Sequence, residues 1–154
     1  MTMMHRSSLP SLAMARARVP HLQYAALCYR IRGGKLQILM VRSRGGKRWT
    51  LPKGWPMRGR TPAQTAAREA WEEAGARGRI RRNCVGGYTY YKRGNPQLHL
   101  ALVFPMEVTR TEKRYPERAD RKRRWVGRRK AAKMVGEIEL AQLLLRFEAV
   151  PGPG

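Results

Sequence analysis

Three glutamates within five residues have the spacing expected of a metal site. Glu69, Glu72 and Glu73 stand at positions i, i+3 and i+4, so on an α-helix their carboxylates would project from one face. Carboxylate oxygens are hard ligands that suit Mg²⁺ or Mn²⁺, and such a cation can also bind phosphate oxygens. The triplet therefore predicts a divalent-metal site that acts on phosphate groups.

A solvated acidic helix face is the alternative interpretation of the same triplet, and for an isolated triplet it is the more common one. Two observations favour the metal. Only 10 acids occur in the chain and three of them lie here. Glu72 and Glu73 also fall in the predicted last helical turn, where the helix dipole opposes negative charge by roughly 0.3–1 kcal/mol. Acids placed at such a cost indicate a compensating cation.

The helix that would carry the glutamates has clear boundary signals. Thr61 can cap its N-terminus, Pro62 suits the first helical position, and Gln64 completes the spacing of a capping box. Gly75 is typical of the residue that ends a helix. The sequence therefore predicts a helix over residues 62–74.

The rest of the chain is predicted to contain strands followed by helices. Two apolar runs separated by Gly33-Gly34 are typical of a hairpin. The predicted strands cover 22–32, 36–42, 79–91, 98–108 and 124–126, a loop covers 109–122, and further helices cover 128–135 and 138–148. This order predicts an α/β (α+β) fold with a β-sheet between helices.

The 154 residues suit one domain, which we place at residues 21–149. Residues 1–20 contain three arginines and no acid, and are expected to form a disordered basic arm, although organelle transit peptides have a similar composition. Residues 150–154 are expected to be a frayed tail. The absence of a long apolar run predicts no membrane span.

Cys28 and Cys84 have no partner at metal-ligand spacing and are predicted to be buried, reduced thiols of a cytoplasmic protein.

The charge of the chain indicates an anionic partner. Its 33 Lys and Arg outnumber 10 Asp and Glu, for a formal net charge of +23. Such a field concentrates polyphosphates, nucleotides or RNA near the protein. A merely solubilising basic surface is the alternative, because charge alone specifies no ligand.

The segment from Gly54 to Ala76 resembles the signature of Nudix hydrolases. That signature is Gly, five residues, Glu, seven residues, then Arg-Glu-apolar-x-Glu-Glu-x-Gly-apolar. Gly54, the run REAWEEAG that starts at Arg68, and Ala76 match at the required spacing, whereas Arg60 replaces the first glutamate. The resemblance implies the Nudix fold, a mixed β-sheet sandwiched between helices. The segments LCYR, RWTLPKG, REAWEEAGARG and RKRRW are most similar to the diphosphoinositol polyphosphate and diadenosine polyphosphate phosphohydrolase branch.

The resemblance also implies roles for the signature residues. Glu69, Glu72 and Glu73, with the backbone carbonyl of Gly54, would hold Mg²⁺ (or Mn²⁺). Glu69 or Glu73 would orient or deprotonate the attacking water, and Arg68 would hold a carboxylate in place. The implied reaction is hydrolysis of a phosphoanhydride bond in a polyphosphorylated or nucleoside-diphosphate-linked small molecule, by a monomer or homodimer. Pyrophosphate removal from RNA 5′ ends, or a catalytically silent domain that binds RNA or polyphosphate, are the alternatives.

Basic residues near the signature would contact the substrate. Arg44 aligns with a phosphate-contacting arginine of that branch, and Arg42, Arg48 and Lys53 are its neighbours, with plain surface charge as the alternative. Three tyrosines at positions 88, 90 and 91 are expected to pack rather than to stack a base. Glu117 is interpreted as a solvated loop acid, although it is also a candidate to replace the acid missing at position 60. The three histidines receive no role.

Overall fold

The computed structural model describes residues 19–92 and 94–149. The expectations for residues 150–154, and for all but the last two residues of the basic arm, lie outside the described residues. The strands are β1 (His21–Arg32), β2 (Lys35–Arg42), β3 (Trp49–Thr50), β4 (Lys53–Gly54), β5 (Ala76–Ile80), β6 (Gly86–Tyr91), β7 (Leu98–Thr111) and β8 (Arg123–Gly127). The helices are α1 (Pro62–Ala74), α2 (Arg128–Met134) and α3 (Ile138–Arg146).

The strands form one mixed sheet. Its main path runs β3-β2-β1-β7-β5, while β4 pairs with β1, β6 with β7 and β8 with β2. The central pair β1 and β7 is parallel, and the other pairings are antiparallel. Because β7 has neighbours along its whole length, its apolar run is buried as expected for a central strand.

Helices cover both faces of this sheet. Successive side chains of a strand point to opposite faces, so Leu27 and Tyr29 join one core while Ala26 and Cys28 join the other. The first core includes apolar residues of α2 and α3. The second includes the small residues with which α1 packs on the sheet, Ala63, Ala66, Ala70 and Ala74. The expected α+β fold with a mixed sheet between helices is confirmed.

The element boundaries differ from expectation in the second half of the chain. The single strand predicted over 79–91 is wrong, since β5 and β6 are separate strands that both pair with β7. Since β7 is 14 residues long, it pairs with both strands in succession, and the chain leaves the sheet between them. β7 also continues to Thr111, so the predicted loop begins later, and α2 and α3 end slightly earlier than predicted.

The two cysteines lie in different environments. Cys28 is buried, as predicted, and burial raises the pKa of its thiol to about 12. The prediction for Cys84 is wrong: its side chain is exposed because it lies in the connection between β5 and β6. None of the helices in the described part of the chain has the length and apolarity that crossing a membrane requires.

Candidate metal and catalytic site

The helix α1 is fixed at both ends by the predicted caps. Thr61 Oγ1 accepts a hydrogen bond from the Gln64 N–H at 3.1 Å, and the Gln64 side chain accepts one from the Thr61 N–H at 2.9 Å. Gly75 ends the helix with φ of 63°, in the left-handed region that favours glycine. Because the alanine face packs on the sheet, the adjacent glutamates lie at the sheet's edge, and Glu73 is buried.

Three carboxylates meet at this edge. Oxygens of Glu69, Glu73 and Glu117 all lie within 4.8 Å of one another, and we call these residues the carboxylate group. The interpretation of Glu117 as a solvated loop acid is wrong, since only 18% of its side chain is exposed. Its backbone N–H donates to the Glu72 carbonyl at 2.9 Å, so the loop is fastened to the end of α1.

The short strand β4 lies directly against two of these carboxylates. The Lys53 N–H donates to Glu73 Oε2 at 2.9 Å. A Cβ placed on Gly54 would lie only 2.1 Å from Glu69 Oε1, so only glycine allows so close an approach at this position. The Gly54 backbone and the Glu69 carboxylate are therefore neighbours, as a shared metal site requires.

Arg121, which was not among the predicted site residues, lies among the carboxylates. Its Nη2 lies 3.1 Å from Glu73 Oε1 and its Nε lies 2.9 Å from Glu117 Oε1. Its Nη1 also donates to the Arg42 carbonyl at 3.1 Å. The available signal was the i, i+4 spacing of Glu117 and Arg121 in an otherwise basic loop. Arg121 holds the two acids together and neutralises part of their charge.

The other signature residues lie beside this group. Arg68 Nε donates to Glu72 Oε1 at 2.9 Å, so this arginine does hold a carboxylate, and Glu72 lies outside the group of three. Arg60, which replaces the signature's first glutamate, is exposed. The third member of the carboxylate group is Glu117, in a loop remote in sequence from α1.

The electrostatics of the carboxylate group favour a cation. Burial, and then the charges of Glu73, Glu72 and Glu117, raise the pKa of Glu69 to about 8. Burial also raises the pKa of Glu73 to about 7, although Arg121 and Lys53 oppose that shift. Arg121 alone therefore does not compensate the negative charge, and the set of hard oxygen donors fits Mg²⁺ or Mn²⁺.

The predicted substrate-binding residues have different surroundings. Arg44 is 62% exposed, and its Nη2 lies 3.0 Å from Glu117 and 3.3 Å from Asp120. The Arg42 Nε is buried and has no hydrogen-bond partner among the described residues. Arg44 thus contacts a member of the carboxylate group, whereas Arg42 contacts Arg121 through its backbone carbonyl.

The remaining two basic residues contact other elements. Lys53 Nζ donates to Thr50 Oγ1 at 3.3 Å and lies 5.1 Å from the centre of the Tyr90 ring. Burial lowers the pKa of Lys53. Arg48 is exposed and its guanidinium lies beside Gly136, in the connection between α2 and α3. Lys53 therefore lies close to Glu73, which its charge and its backbone N–H both contact, whereas Arg48 borders the connection between α2 and α3.

The tyrosines of β6 follow the expectation in part. Tyr88 and Tyr90 are buried in the core, as predicted, whereas Tyr91 is 61% exposed.

Two of the histidines, which received no role, lie in contact. His21 and His99 are register partners in β1 and β7, with ring centroids 5.5 Å apart. Sequence spacing gave no sign of this contact because 78 positions separate the two residues.

The fold and the site define a class of α+β domains in which a glutamate-rich helix lies against a short glycine-containing strand of a mixed sheet. Comparison with protein families identifies the particular family. The chain belongs to the NUDIX domain family, whose profile matches residues 21–147. The family resemblance of the signature segment is thereby confirmed.

Curated relatives carry the name Nudix hydrolase. "Nudix hydrolase 21, chloroplastic" of Arabidopsis thaliana is 29% identical over 116 residues, which cover 75% of this chain and 58% of the relative. "Nudix hydrolase 13, mitochondrial" of the same plant is 32% identical over 108 residues, which cover 65% of this chain and 54% of the relative. The chain spans about half the length of the curated relatives it matches.

Solved structures share the fold. A C. elegans Ap4A hydrolase in a binary complex gives a TM-score of 0.64 at 24% identity, covering 80% of this chain and 92% of that one. The NUDIX domain of Shewanella oneidensis NrtR, complexed with ADP ribose, gives a TM-score of 0.62 at 13% identity, covering 84% of this chain and 88% of that one. At these identities the likeness establishes the fold, and the predicted Nudix fold is confirmed.

The raised carboxyl pKa values predict a pH-dependent stability. Glu69 titrates near 4.5 in the unfolded chain and at about 8 in the folded one, so between these values the folded protein binds more protons. The free energy of unfolding of the metal-free protein should therefore fall as pH rises through this range. A divalent cation binds ionised carboxylates and releases their protons, so the stabilisation by Mg²⁺ should grow over the same range.

Thermal unfolding in EDTA and in Mg²⁺, from about pH 5 to about pH 9, measures both trends. Glu69→Gln is the matched control, because it removes the titrating group with little change of shape. We expect this variant to lose much of the pH dependence and of the Mg²⁺ effect. A Mg²⁺ effect that is equal at both ends of the range, or that survives in Glu69→Gln, would contradict the prediction.

Proposed function

We propose that this protein is a Mg²⁺- or Mn²⁺-dependent hydrolase that cuts a phosphoanhydride bond in a polyphosphorylated small molecule. Diadenosine polyphosphates and diphosphoinositol polyphosphates are the substrate types that its resemblances favour. The observation that carries the proposal is the carboxylate group, three acids within 4.8 Å of one another against the Gly54 backbone. The names of the curated relatives support the hydrolase activity.

Glu69, Glu73 and Glu117, with Glu72 and the carbonyl of Gly54, would hold the cation. The bound metal would neutralise phosphate oxygens and lower the pKa of water, which together account for most of the expected barrier reduction. Glu117 takes the part of the acid that is missing at position 60. The proposed ligand set thus draws on α1, β4 and the loop before β8.

The contacts of the two central glutamates favour different tasks. Glu73 is held by the Lys53 N–H and by Arg121, so its orientation is fixed and it serves as a ligand. Glu69 is the better candidate to accept the proton of the attacking water, since it is half-buried whereas Glu73 is buried. Arg68 positions Glu72 by its hydrogen bond.

Basic side chains would bind the polyphosphate. Arg44 now pairs with Glu117 and Asp120, and the exposed guanidinium is available to phosphate oxygens at little cost. Arg42, which is half-buried, and Arg48 and Lys53 complete the proposed set. The net charge of +23 would speed the encounter with densely anionic substrates.

A substrate panel tests the proposal. The wild-type protein is incubated with Mg²⁺ or Mn²⁺ and, in turn, diadenosine tetraphosphate, a diphosphoinositol polyphosphate and an RNA with a 5′ triphosphate, and phosphate or nucleotide release is measured. We expect metal-dependent release from at least one of the small molecules. Release from none of them, with either metal, would overturn the proposed hydrolase.

RNA is the second candidate substrate, and the net charge of +23 is the observation that favours it. A 5′ pyrophosphohydrolase would act in the panel on the RNA alone. A silent RNA-binding domain would release nothing, and its affinity would fall steeply with salt whether or not Mg²⁺ is present. A cytoplasmic location and a monomeric or homodimeric state stay predictions.

A further inference from the structure

An aromatic surface adjoins the carboxylate group. Trp55 directly follows Gly54 and is 48% exposed. Its ring centroid lies 5.6 Å from that of His21 and 5.7 Å from that of His99. His99 in turn stacks on Tyr90, with ring centroids 5.1 Å apart and an interplanar angle of 24°. We call these four residues the aromatic platform.

The sheet holds this platform rigid. His99 is register partner of His21 in the parallel pair β1–β7 and of Tyr90 in the antiparallel pair β6–β7. His99 is 1% exposed and its Nδ1 lies 2.9 Å from the Gln97 carbonyl, while the Tyr90 hydroxyl donates to the Gln23 side chain. Trp55 is therefore an exposed indole with a fixed support beneath it.

The charges around the platform select the kind of ligand. Lys92 Nζ lies 5.2 Å from the centre of the Trp55 ring, and Lys53 Nζ lies 5.1 Å from that of Tyr90. An exposed indole can stack a planar group or attract a cation. An ammonium group over the Trp55 ring and another over the Tyr90 ring repel a cationic ligand, so they favour an uncharged planar group that carries anionic substituents.

Three consecutive residues connect the platform to the carboxylate group. The Lys53 N–H donates to Glu73, the Gly54 backbone lies against Glu69, and Trp55 belongs to the platform. Consecutive Cα atoms are about 3.8 Å apart. A ligand with a planar end on Trp55 can therefore reach the carboxylate group with an attached phosphate chain.

We propose that Trp55 stacks the base of a nucleoside polyphosphate, and that Lys92 contacts its phosphate chain. The inference rests on the proposed function and narrows it, because it favours nucleotides over diphosphoinositol polyphosphates, which have no base. Lys92 moves from the indole to the phosphates when the base takes its place. Trp55 is then a binding residue that selects the substrate, and the carboxylate group performs the hydrolysis.

Calorimetric titration tests the base site without catalysis. The ligands are a non-hydrolysable methylene analogue of ATP and inorganic tripolyphosphate, each with Mg²⁺. Trp55→Leu should weaken binding of the nucleotide by about tenfold or more, as expected for the loss of one base–aromatic stack. Trp55→Phe, which keeps an aromatic face, should recover most of the affinity. Tripolyphosphate carries no base, so the loss should be confined to the nucleotide.

Trp125→Leu is the matched control, since Trp125 is a half-buried tryptophan on β8 that packs under Arg30. This variant should bind both ligands like the wild type. Equal nucleotide affinity in Trp55→Leu and wild type would overturn the proposal. An equal loss for tripolyphosphate would overturn it too, because the tryptophan would then act only through the local structure.

The failure of this inference can be told from the failure of the proposed function. A wild-type protein that hydrolyses polyphosphates but binds the nucleotide no better than tripolyphosphate would refute the base site and leave the hydrolase intact. If the wild type hydrolyses nothing, but Trp55→Leu binds the nucleotide more weakly than the wild type does, the hydrolase is refuted and the base site stands. For an active enzyme, Trp55→Leu should raise KM for diadenosine tetraphosphate with a much smaller change in kcat.

Discussion

Glu73→Gln is expected to reduce hydrolysis of the best substrate by roughly 10²–10⁴-fold, because a weakened metal site would lose much of the several kcal/mol by which the cation stabilises the transition state. Glutamine has the shape of glutamate, and its amide oxygen can still accept the hydrogen bond that the Lys53 N–H donates to Glu73. It lacks the negative charge, however, and its NH₂ group would face the Arg121 Nη2 that now lies 3.1 Å from Glu73 Oε1. Two donors would then meet, and the proposed metal site would lose its most firmly oriented ligand.

Initial rates of phosphate release, measured over a range of Mg²⁺ concentrations, test this expectation. The variant should need far more Mg²⁺ and should not regain the wild-type rate at saturation. Thermal unfolding in EDTA separates this result from misfolding. Burial disfavours the ionised form of Glu73, whereas the lost contact with Arg121 acts in the opposite direction, so we expect the metal-free variant to remain folded and to unfold in one cooperative transition.

Glu112→Gln is the control for this variant. Glu112 is also a glutamate paired with an arginine, since Arg110 Nε lies 3.0 Å from its Oε1, but it lies outside the carboxylate group. Its replacement should change the rate by less than about twofold, as is usual for an exposed ion pair. If Glu73→Gln retained a tenth or more of the wild-type rate, Glu73 would have no place in the proposed chemistry.

Gly54→Ala is expected to lower kcat by about 10²-fold or more, because a displacement of about 1 Å at a catalytic group has consequences of that size. The added Cβ would lie 2.1 Å from Glu69 Oε1 and 2.3 Å from Glu69 Cδ, far inside van der Waals contact. Either the Glu69 carboxylate or the β4 backbone must move. Both movements separate the carboxylate from the backbone carbonyl with which it is proposed to bind the metal.

The fold should survive this substitution. Gly54 has no positive φ, so alanine meets no backbone strain there, and the contact is with the end of a side chain that can rotate. We therefore expect a near-normal melting temperature in EDTA together with reduced kcat and weaker Mg²⁺ activation. Gly127→Ala is the matched control, since a Cβ at Gly127 meets nothing within 4 Å. Wild-type kcat and Mg²⁺ dependence in Gly54→Ala would show that this close approach has no catalytic importance.

The helix α1 and its glutamates were predictable because their signals are local. The capping residues Thr61 and Gln64, and the C-terminal Gly75, act on backbone groups within a few positions of themselves. Helical geometry then places Glu69 and Glu73 on one face whatever the rest of the chain does. The strands β1 and β2 and the hairpin between them follow from equally local patterns.

Which residues form the site depends on contacts between segments that are distant in sequence. Glu117 and Arg121 reach the carboxylate group because the loop before β8 is fastened to the end of α1, and no local pattern encodes that path. The aromatic platform exists because the register of β1 and β6 on β7 brings His21 and Tyr90 to His99. The separation of β5 from β6, and with it the exposure of Cys84, follows from pairing along the length of β7.

The sequence by itself therefore determined the helix, its row of acids and the positive charge of the molecule, since each depends on residue type and short-range spacing. Only the tertiary structure decided which acids meet, which arginine neutralises them and which aromatic ring lies beside them. Those outcomes depend on strand register and loop path, which are set by the packing of the whole domain.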